Sequence, residues 1–340
     1  MRSERSLSLE LSNLESMKQF FKYLTLVVLI SLAIFIYSGT YFDLSRSDLE
    51  TKYATDASKF LNTNDGKKVH YKDEGNLEKP AIVLLHGFNG SLFNFDKLIP
   101  LLKDNYRLIS IDLPGFGLTG PIPSADYTND SFMQTVSEVT QFLNIEEFSI
   151  AGNSMGGGVA WRYAIKHPNK ITGLILLSSS GVLSIEERKA FESSKKDTPI
   201  AWKLMRSDFS TSILSHFTPK FFATQGLKAS VFDQKLATKE LAYQFHDLTL
   251  MSGSRRAILS MFNNRINKIY EAEDLKKIRA PTLVIHGEED NIIPYQSSSK
   301  FKQLIKEVEL NIYPKIGHLP MYENPERTAR DIDRFLSSRL

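Results

Sequence analysis

Short apolar runs recur along the chain, separated by stretches in which apolar residues return every three or four positions. Ala81–Leu85, Tyr106–Leu113, Phe148–Ala151, Ile171–Leu177, Pro281–Ile285 and Val308–Tyr313 are read as strands, most of them apolar enough to be covered on both faces. Lys67–Tyr71 follows the turn pair Asp65-Gly66 and alternates as a short strand. Ser131–Leu143 sets Phe132, Val136, Val139 and Phe142 at helical spacing, and Gly156–Ile165, Ser297–Ile305 and Pro325–Leu336 are the other predicted helices. Strands alternating with helices predict an α/β fold, a mostly parallel sheet with helices on both faces.

Two regions break this alternation. Residues 23–42 carry no charge and read LTLVVLISLAIFIY at their centre. As a helix they rise about 30 Å, the thickness of a bilayer core, with Tyr23, Tyr37 and Tyr41 near the ends. They predict a single-pass membrane anchor. The rival is a cleaved signal peptide and a secreted protein; Glu4, Glu10 and Glu15 in the leading segment and the weak small-residue site at Ser38 and Thr40 argue against cleavage. Lys18 and Lys22 precede the span most closely, which favours a cytoplasmic N-terminus and a non-cytoplasmic main domain. The second region, residues 183–272, has no comparable strand-like run but carries scattered aromatics, Trp202, Phe209, Phe222 and Phe245 among them. So long a loop without structure is improbable, so a helical cap is expected there. The resulting organisation is a polar segment 1–22, an anchor 23–42, a linker 43–63, a core of 64–182 with 273–340, and the cap.

Composition narrows the chemistry. With 42 basic and 39 acidic residues in 340, the net charge of +3 gives no electrostatic footprint for nucleic acid. The absence of cysteine excludes disulfides, thiolate catalysis and cysteine-held metals. His70, His86, His167, His216, His246 and His286 show no metal-ligand spacing, so no metal is expected. Nor is a cofactor. Gly115 to Gly120 fits G-x-G-x-x-G, but Pro121 and Pro123 forbid the helix a dinucleotide site needs, and Gly156-Gly157-Gly158 lacks the lysine of a phosphate loop.

One motif carries chemistry. Gly152-Asn153-Ser154-Met155-Gly156 lies between a predicted strand and a predicted helix. Small residues two before and two after the serine let a tight turn close and project its hydroxyl, while the helix N-terminus favours developing negative charge. A serine needs a base, and His318 follows the last strand. The base needs an orienting acid. Asp290 follows strand Pro281–Ile285 in a G-x-x-D pattern, with Glu288 and Glu289 as competitors. Two donors for an oxyanion are expected from the backbone N–H groups of Met155 and of Phe88, in the loop after Ala81–Leu85.

HGFNG at 86–90, DLPGFG at 112–117, GNSMGGG at 152–158, HGEED at 286–290 and GHLP at 317–320, in this order, resemble the α/β-hydrolase superfamily over residues 64–340. The resemblance implies an eight-stranded, mostly parallel sheet with a helical cap after the sixth strand. It also implies nucleophile, acid and base roles for Ser154, Asp290 and His318, with Phe88 and Met155 as oxyanion donors. GNSMGG is similar to the elbow of meta-cleavage-product hydrolases, which break C–C bonds. The HGF start, the cap and the apolar N-terminal stretch look more like membrane-tethered monoacylglycerol lipases and related esterases. A small hydrophobic ester is therefore the expected substrate, with C–C hydrolysis and non-catalytic ligand binding as the alternatives.

Overall fold

A computed structural model describes residues 2–181, 183–194, 215–264 and 272–339. Trp202 and Phe209, with the rest of 195–214 and 265–271 of the expected cap, lie outside the described residues. Eight strands form one sheet: β1 (Ser58–Asn62), β2 (Lys68–Gly75), β3 (Ala81–Leu85), β4 (Arg107–Ile111), β5 (Phe148–Asn153), β6 (Ile171–Leu177), β7 (Thr282–Gly287) and β8 (Val308–Tyr313). Their order is β1-β2-β4-β3-β5-β6-β7-β8. β2 runs antiparallel to β1 and β4, and every other pairing is parallel.

The longer helices are α1 (Arg2–Gly39), α2 (Arg46–Tyr53), α3 (Asn129–Phe142), α4 (Met155–Lys166), α5 (Ile185–Ser194), α6 (Lys220–Ser230), α7 (Lys239–Thr249), α8 (Ser254–Asn264), α9 (Ser298–Leu304) and α10 (Pro325–Ser337). Side chains alternate across a strand. Val83 and Leu85 of β3 therefore enter one core with Val136 of α3 and Val159 of α4, while Ile82 and Leu84 enter the other with Ile332 and Phe335 of α10. Burial on both faces explains why β3 reads as an unbroken apolar run. Helix starts are marked locally. Thr128 accepts the Ser131 N–H ahead of α3, and Asn324 accepts the Arg327 N–H ahead of α10, where Pro325 opens the helix.

Among the described residues no strand lies between β6 and β7, where α5 to α8 are found. Leu227 of α6 and Ala242 of α7 join one core, and Ala257, Ile258 and Met261 of α8 join the other.

Three expected boundaries are corrected. Residues 43–63 are not a linker, since they hold α2 and the edge strand β1. Their pattern hides this because the edge strand is only partly covered and α2 buries Leu49 alone. α2 is capped by the Ser45 side chain, and Arg46 donates to the carbonyls of Leu118 and Thr119. The polar segment 1–22 is not separate from the apolar span; one helix runs from Arg2 to Gly39. The span also stops short of Phe42. The helix ends at Gly39, whose carbonyl accepts the Thr218 N–H at 2.8 Å, and Thr40 bridges Phe217. Asn13–Gly39 is long and apolar enough to cross a membrane, and from Asn13 to Ser38 its side chains are exposed.

Candidate active site

The strand-to-helix turn from β5 to α4 imposes an unusual backbone on Ser154, with φ 53° and ψ −114°. A non-glycine residue held there is strained by about 1–3 kcal/mol, so the surroundings must enforce it. They do so by close approach and by hydrogen bonds. A Cβ on Gly152 would come within 2.3 Å of the Gly156 backbone, and one on Gly156 within 2.2 Å of the Leu85 carbonyl. Ser154 N–H donates to the Leu177 carbonyl at 3.0 Å, and the Ser154 carbonyl accepts N–H groups from Gly158 and Ser180 at 3.1 and 3.0 Å. The small residues flanking the serine thus have a steric reason.

The structure brings His318 and Asp290 together. His318 Nδ1 lies 2.7 Å from Asp290 Oδ2. Asp290 Oδ1 accepts the N–H groups of Ile292 and Ile293 at 2.7 and 2.9 Å. Burial opposes ionisation of Asp290, but the His318 charge and hydrogen bonds from His286 and His318 outweigh it and hold the carboxyl well below the usual carboxylate range. The competing acids Glu288 and Glu289 are exposed and do not reach the imidazole. The His318 segment is tied to the serine turn by Asn153, whose Nδ2 donates to the carbonyls of His318 and Leu177, both at 3.0 Å. It is tied to the cap by His318 N–H donating to the Ser230 carbonyl at 2.8 Å. Among the described residues the Ser154 hydroxyl forms no hydrogen bond. The contact between a nucleophile and its base is one that often tightens only around substrate.

The loop carrying Phe88 packs directly on the serine, for a Cβ on Gly87 would lie 3.1 Å from Ser154 Cβ. His86 shapes this loop. Its Nδ1–H donates to the Gly87 carbonyl at 2.7 Å, so Nε2 accepts the Leu113 N–H at 3.0 Å. Met155 is the first residue of α4, where the N–H has no partner within the helix. A cavity of about 180 Å³ opens between this loop and the cap, lined by Phe88, Asn153, Phe222, Leu227, Leu259 and Leu319 among others. Ser154 and His318 do not line it themselves. Their neighbours Asn153 and Leu319 do, so the cavity adjoins the serine rather than enclosing it.

Sequence reasoning missed the parts played by four residues. His286 shows no metal-ligand spacing and has no assigned role in HGEED, yet its Nε2 lies 3.1 Å from Asp290 Oδ2. Asn153 occupied a variable place in its motif. His70 and Asp112, both fully buried, pair at 2.6 Å. Asp112 also accepts the N–H groups of Leu92 and Leu118. This explains the misleading glycines. Gly115, Gly117 and Gly120 all have positive φ, and a Cβ on Gly117 would strike the Asp112 carboxylate at 2.1 Å. The loop wraps a buried carboxylate and opens no helix. Among the described residues no group of three or more His, Asp or Glu is arranged to hold a metal ion.

The family model for the alpha/beta hydrolase fold matches residues 80–325, and the chain belongs to that family. Lipase 1 of Psychrobacter immobilis is 27% identical over 298 residues, 87% of each chain. A 2-hydroxy-6-oxo-6-(2'-aminophenyl)hexa-2,4-dienoic acid hydrolase of Metapseudomonas resinovorans is 28% identical over 286 residues, 83% of this chain and 91% of its own. Among solved structures, the meta-cleavage product hydrolase CumD of Pseudomonas fluorescens IP01 superposes with a TM-score of 0.69 at 25% identity, covering 82% of this chain and 97% of that one.

Proposed function

We propose that the protein is a serine hydrolase of carboxylic esters with hydrophobic acyl groups, acting through an acyl-enzyme. The observation that carries this reading is Ser154, held at φ 53° at the start of α4 beside the buried His318–Asp290 pair. Ser154 Oγ attacks the ester carbonyl while His318 Nε2 takes its proton. Asp290 holds Nδ1–H and balances the imidazolium. The tetrahedral oxyanion is received by the N–H groups of Phe88 and Met155, a pair in which each donor is typically worth about 10²–10³ in rate. His318 then protonates the departing alcohol, and water attacks the acyl-serine by the reverse proton route.

The hydrophobic acyl group is inferred from the apolar lining of the cap cavity and from the similarity to a lipase. We read the exposed apolar part of α1 as a single-pass anchor that keeps the domain at a membrane, on its non-cytoplasmic side. Cleavage as a signal sequence is the rival, and a mature chain starting near Thr40 after expression would establish it. The second functional reading, C–C hydrolysis of a dienoic diketone, has the equally similar dienoic acid hydrolase behind it. The deciding experiment treats the purified protein with a fluorophosphonate probe, then compares turnover of a nitrophenyl ester series with that of a dienoic diketone. Labelling at Ser154 with turnover rising along the acyl chain is expected. A chain that stays unlabelled beside a labelled control hydrolase excludes the serine mechanism, and preference for the diketone exchanges the two readings.

A further inference from the structure

His286 is the penultimate residue of β7 and is fully buried. Its Nε2 faces two acceptors, Asp290 Oδ2 at 3.1 Å and the Ile293 carbonyl at 3.2 Å. An imidazole nitrogen between two acceptors must carry the proton, so Nε2–H donates to both. Nδ1 is then a buried acceptor, and among the described residues it has no hydrogen-bond partner. A buried acceptor without a donor destabilises the fold, and an apolar side chain of similar size would remove that cost. The ring is therefore poorly explained as packing alone.

The Asp290 carboxylate shows what the ring accomplishes. Each of its oxygens receives two donors: Oδ1 from Ile292 and Ile293 N–H, and Oδ2 from His318 Nδ1 and His286 Nε2. The two imidazoles approach the same oxygen. We infer that His286 is a positioning residue for the acid–base pair, its Nε2–H holding Asp290 Oδ2 in line with His318 Nδ1. The inference rests on the serine hydrolase reading above. Without His286, Oδ2 is held only by the base it must orient, and the carboxylate plane can turn about its two backbone donors. His286 also fastens the Ile293 end of the acid loop to the strand that carries it.

The test compares three variants of the full chain. His286→Leu removes the donor, His286→Gln keeps an N–H near the Nε2 position, and His286→Asn moves it back towards Nδ1. Each is first shown to be folded by its thermal transition; should His286→Leu not fold, His286→Asn serves as the variant lacking the donor. Ester kcat and KM and the rate of fluorophosphonate labelling are measured. The donor-lacking variant is expected to lose about tenfold or more in kcat and labelling rate at unchanged KM, as misalignment of a catalytic group does. His286→Gln is expected to recover to within about threefold of wild type. A folded donor-lacking variant with wild-type kcat, an equal loss in the Gln variant, or a loss confined to KM overturns the inference while the hydrolase reading stands. A wild-type chain inert to the probe overturns the hydrolase reading and this inference together.

Discussion

Two sets of serine, histidine and aspartate stand out among the described residues, and the more completely hydrogen-bonded one is the one we do not take to be catalytic. Ser58 Oγ lies 2.9 Å from His70 Nε2, and His70 Nδ1 lies 2.6 Å from Asp112 Oδ2. In the other set His318 and Asp290 are joined, while the Ser154 hydroxyl forms no hydrogen bond among the described residues. The difference lies in what surrounds each serine. Ser58 opens the edge strand β1, and its oxygen already accepts the Thr55 N–H at 3.0 Å. It has no strained turn, opens no helix and does not line the cap cavity. Ser154 has a strained turn, a helix N-terminus, a loop packed on its Cβ and a cavity next to it. Three side chains in sequence conduct no chemistry without a place for the reacting carbon and donors for its oxygen.

The sharpest way to break this comparison is Ser154→Ala. It is expected to abolish fluorophosphonate labelling and to lower ester turnover by at least about 10⁴-fold. Labelling that survives in this variant would locate the nucleophile elsewhere.

Next in size is the exchange of the two buried acids. Asp290→Asn is expected to lower kcat by about 10³- to 10⁴-fold, because an amide presents the wrong partner to His318 Nδ1. Asp112→Asn is expected to act on the fold instead. It removes a charge that accepts from His70, Leu92 and Leu118, at a cost of about 3 kcal/mol. Urea unfolding and kcat of the folded fraction, measured on both variants, separate the roles. Similar losses of kcat in the two would erase the distinction.

The pH dependence of stability sharpens it further. Burial depresses the pKa of His86, against the opposing pull of Asp112 and of its bond to the Gly87 carbonyl. A depressed folded pKa gives stability that is complete above the ordinary histidine value of about 6.5 and is lost as pH falls towards the folded value. Asp112 is also depressed. Burial raises it, but the bond and charge of His70 prevail, so its contribution is lost only below the ordinary aspartate value of about 3.9. The urea midpoint is therefore expected to drop between about pH 7 and pH 5, and again below about pH 4. His86→Gln is expected to reduce the first slope by up to one proton, with His167 and His246, also depressed by burial, supplying the remainder. An unchanged slope would mean that His86 does not resist protonation.

These contrasts follow the boundary between what was legible in the chain and what was not. Strands β3 to β7 show in the pattern mainly because burial on both faces demands apolar runs, while β1, SKFLN at one sheet edge, is under no such demand, and β8 at the other edge, also only partly covered, shows by the alternation of Val308, Leu310 and Ile312. The proposed set of Ser154, Asp290 and His318 could be picked out of the chain because each follows a strand within a short motif. The His70–Asp112 pair was not. It depends on the antiparallel pairing of β2 with β4, which opposes Tyr71 to Ile111 and sends the Asp112 N–H to the His70 carbonyl. No local pattern encodes that register. His286 was visible in HGEED, but its meaning came only when Asp290 folded back four residues to meet it.

The smallest expected effect is the most discriminating for the comparison. Ser58→Ala removes the hydroxyl that donates to His70 Nε2 and the acceptor of the Thr55 N–H. Ser58 is only partly buried, so water can take over part of both contacts, and the cost is expected to be about 1 kcal/mol or less. Fluorophosphonate labelling and ester kcat are expected to stay within about twofold of wild type, because Ser58 opens a strand rather than a helix and does not line the cap cavity. A larger loss of stability with unchanged kcat would show a tightly coupled relay that serves the fold. A loss of kcat or labelling with stability unchanged would reverse the assignment and make the hydrogen-bonded set the reactive one.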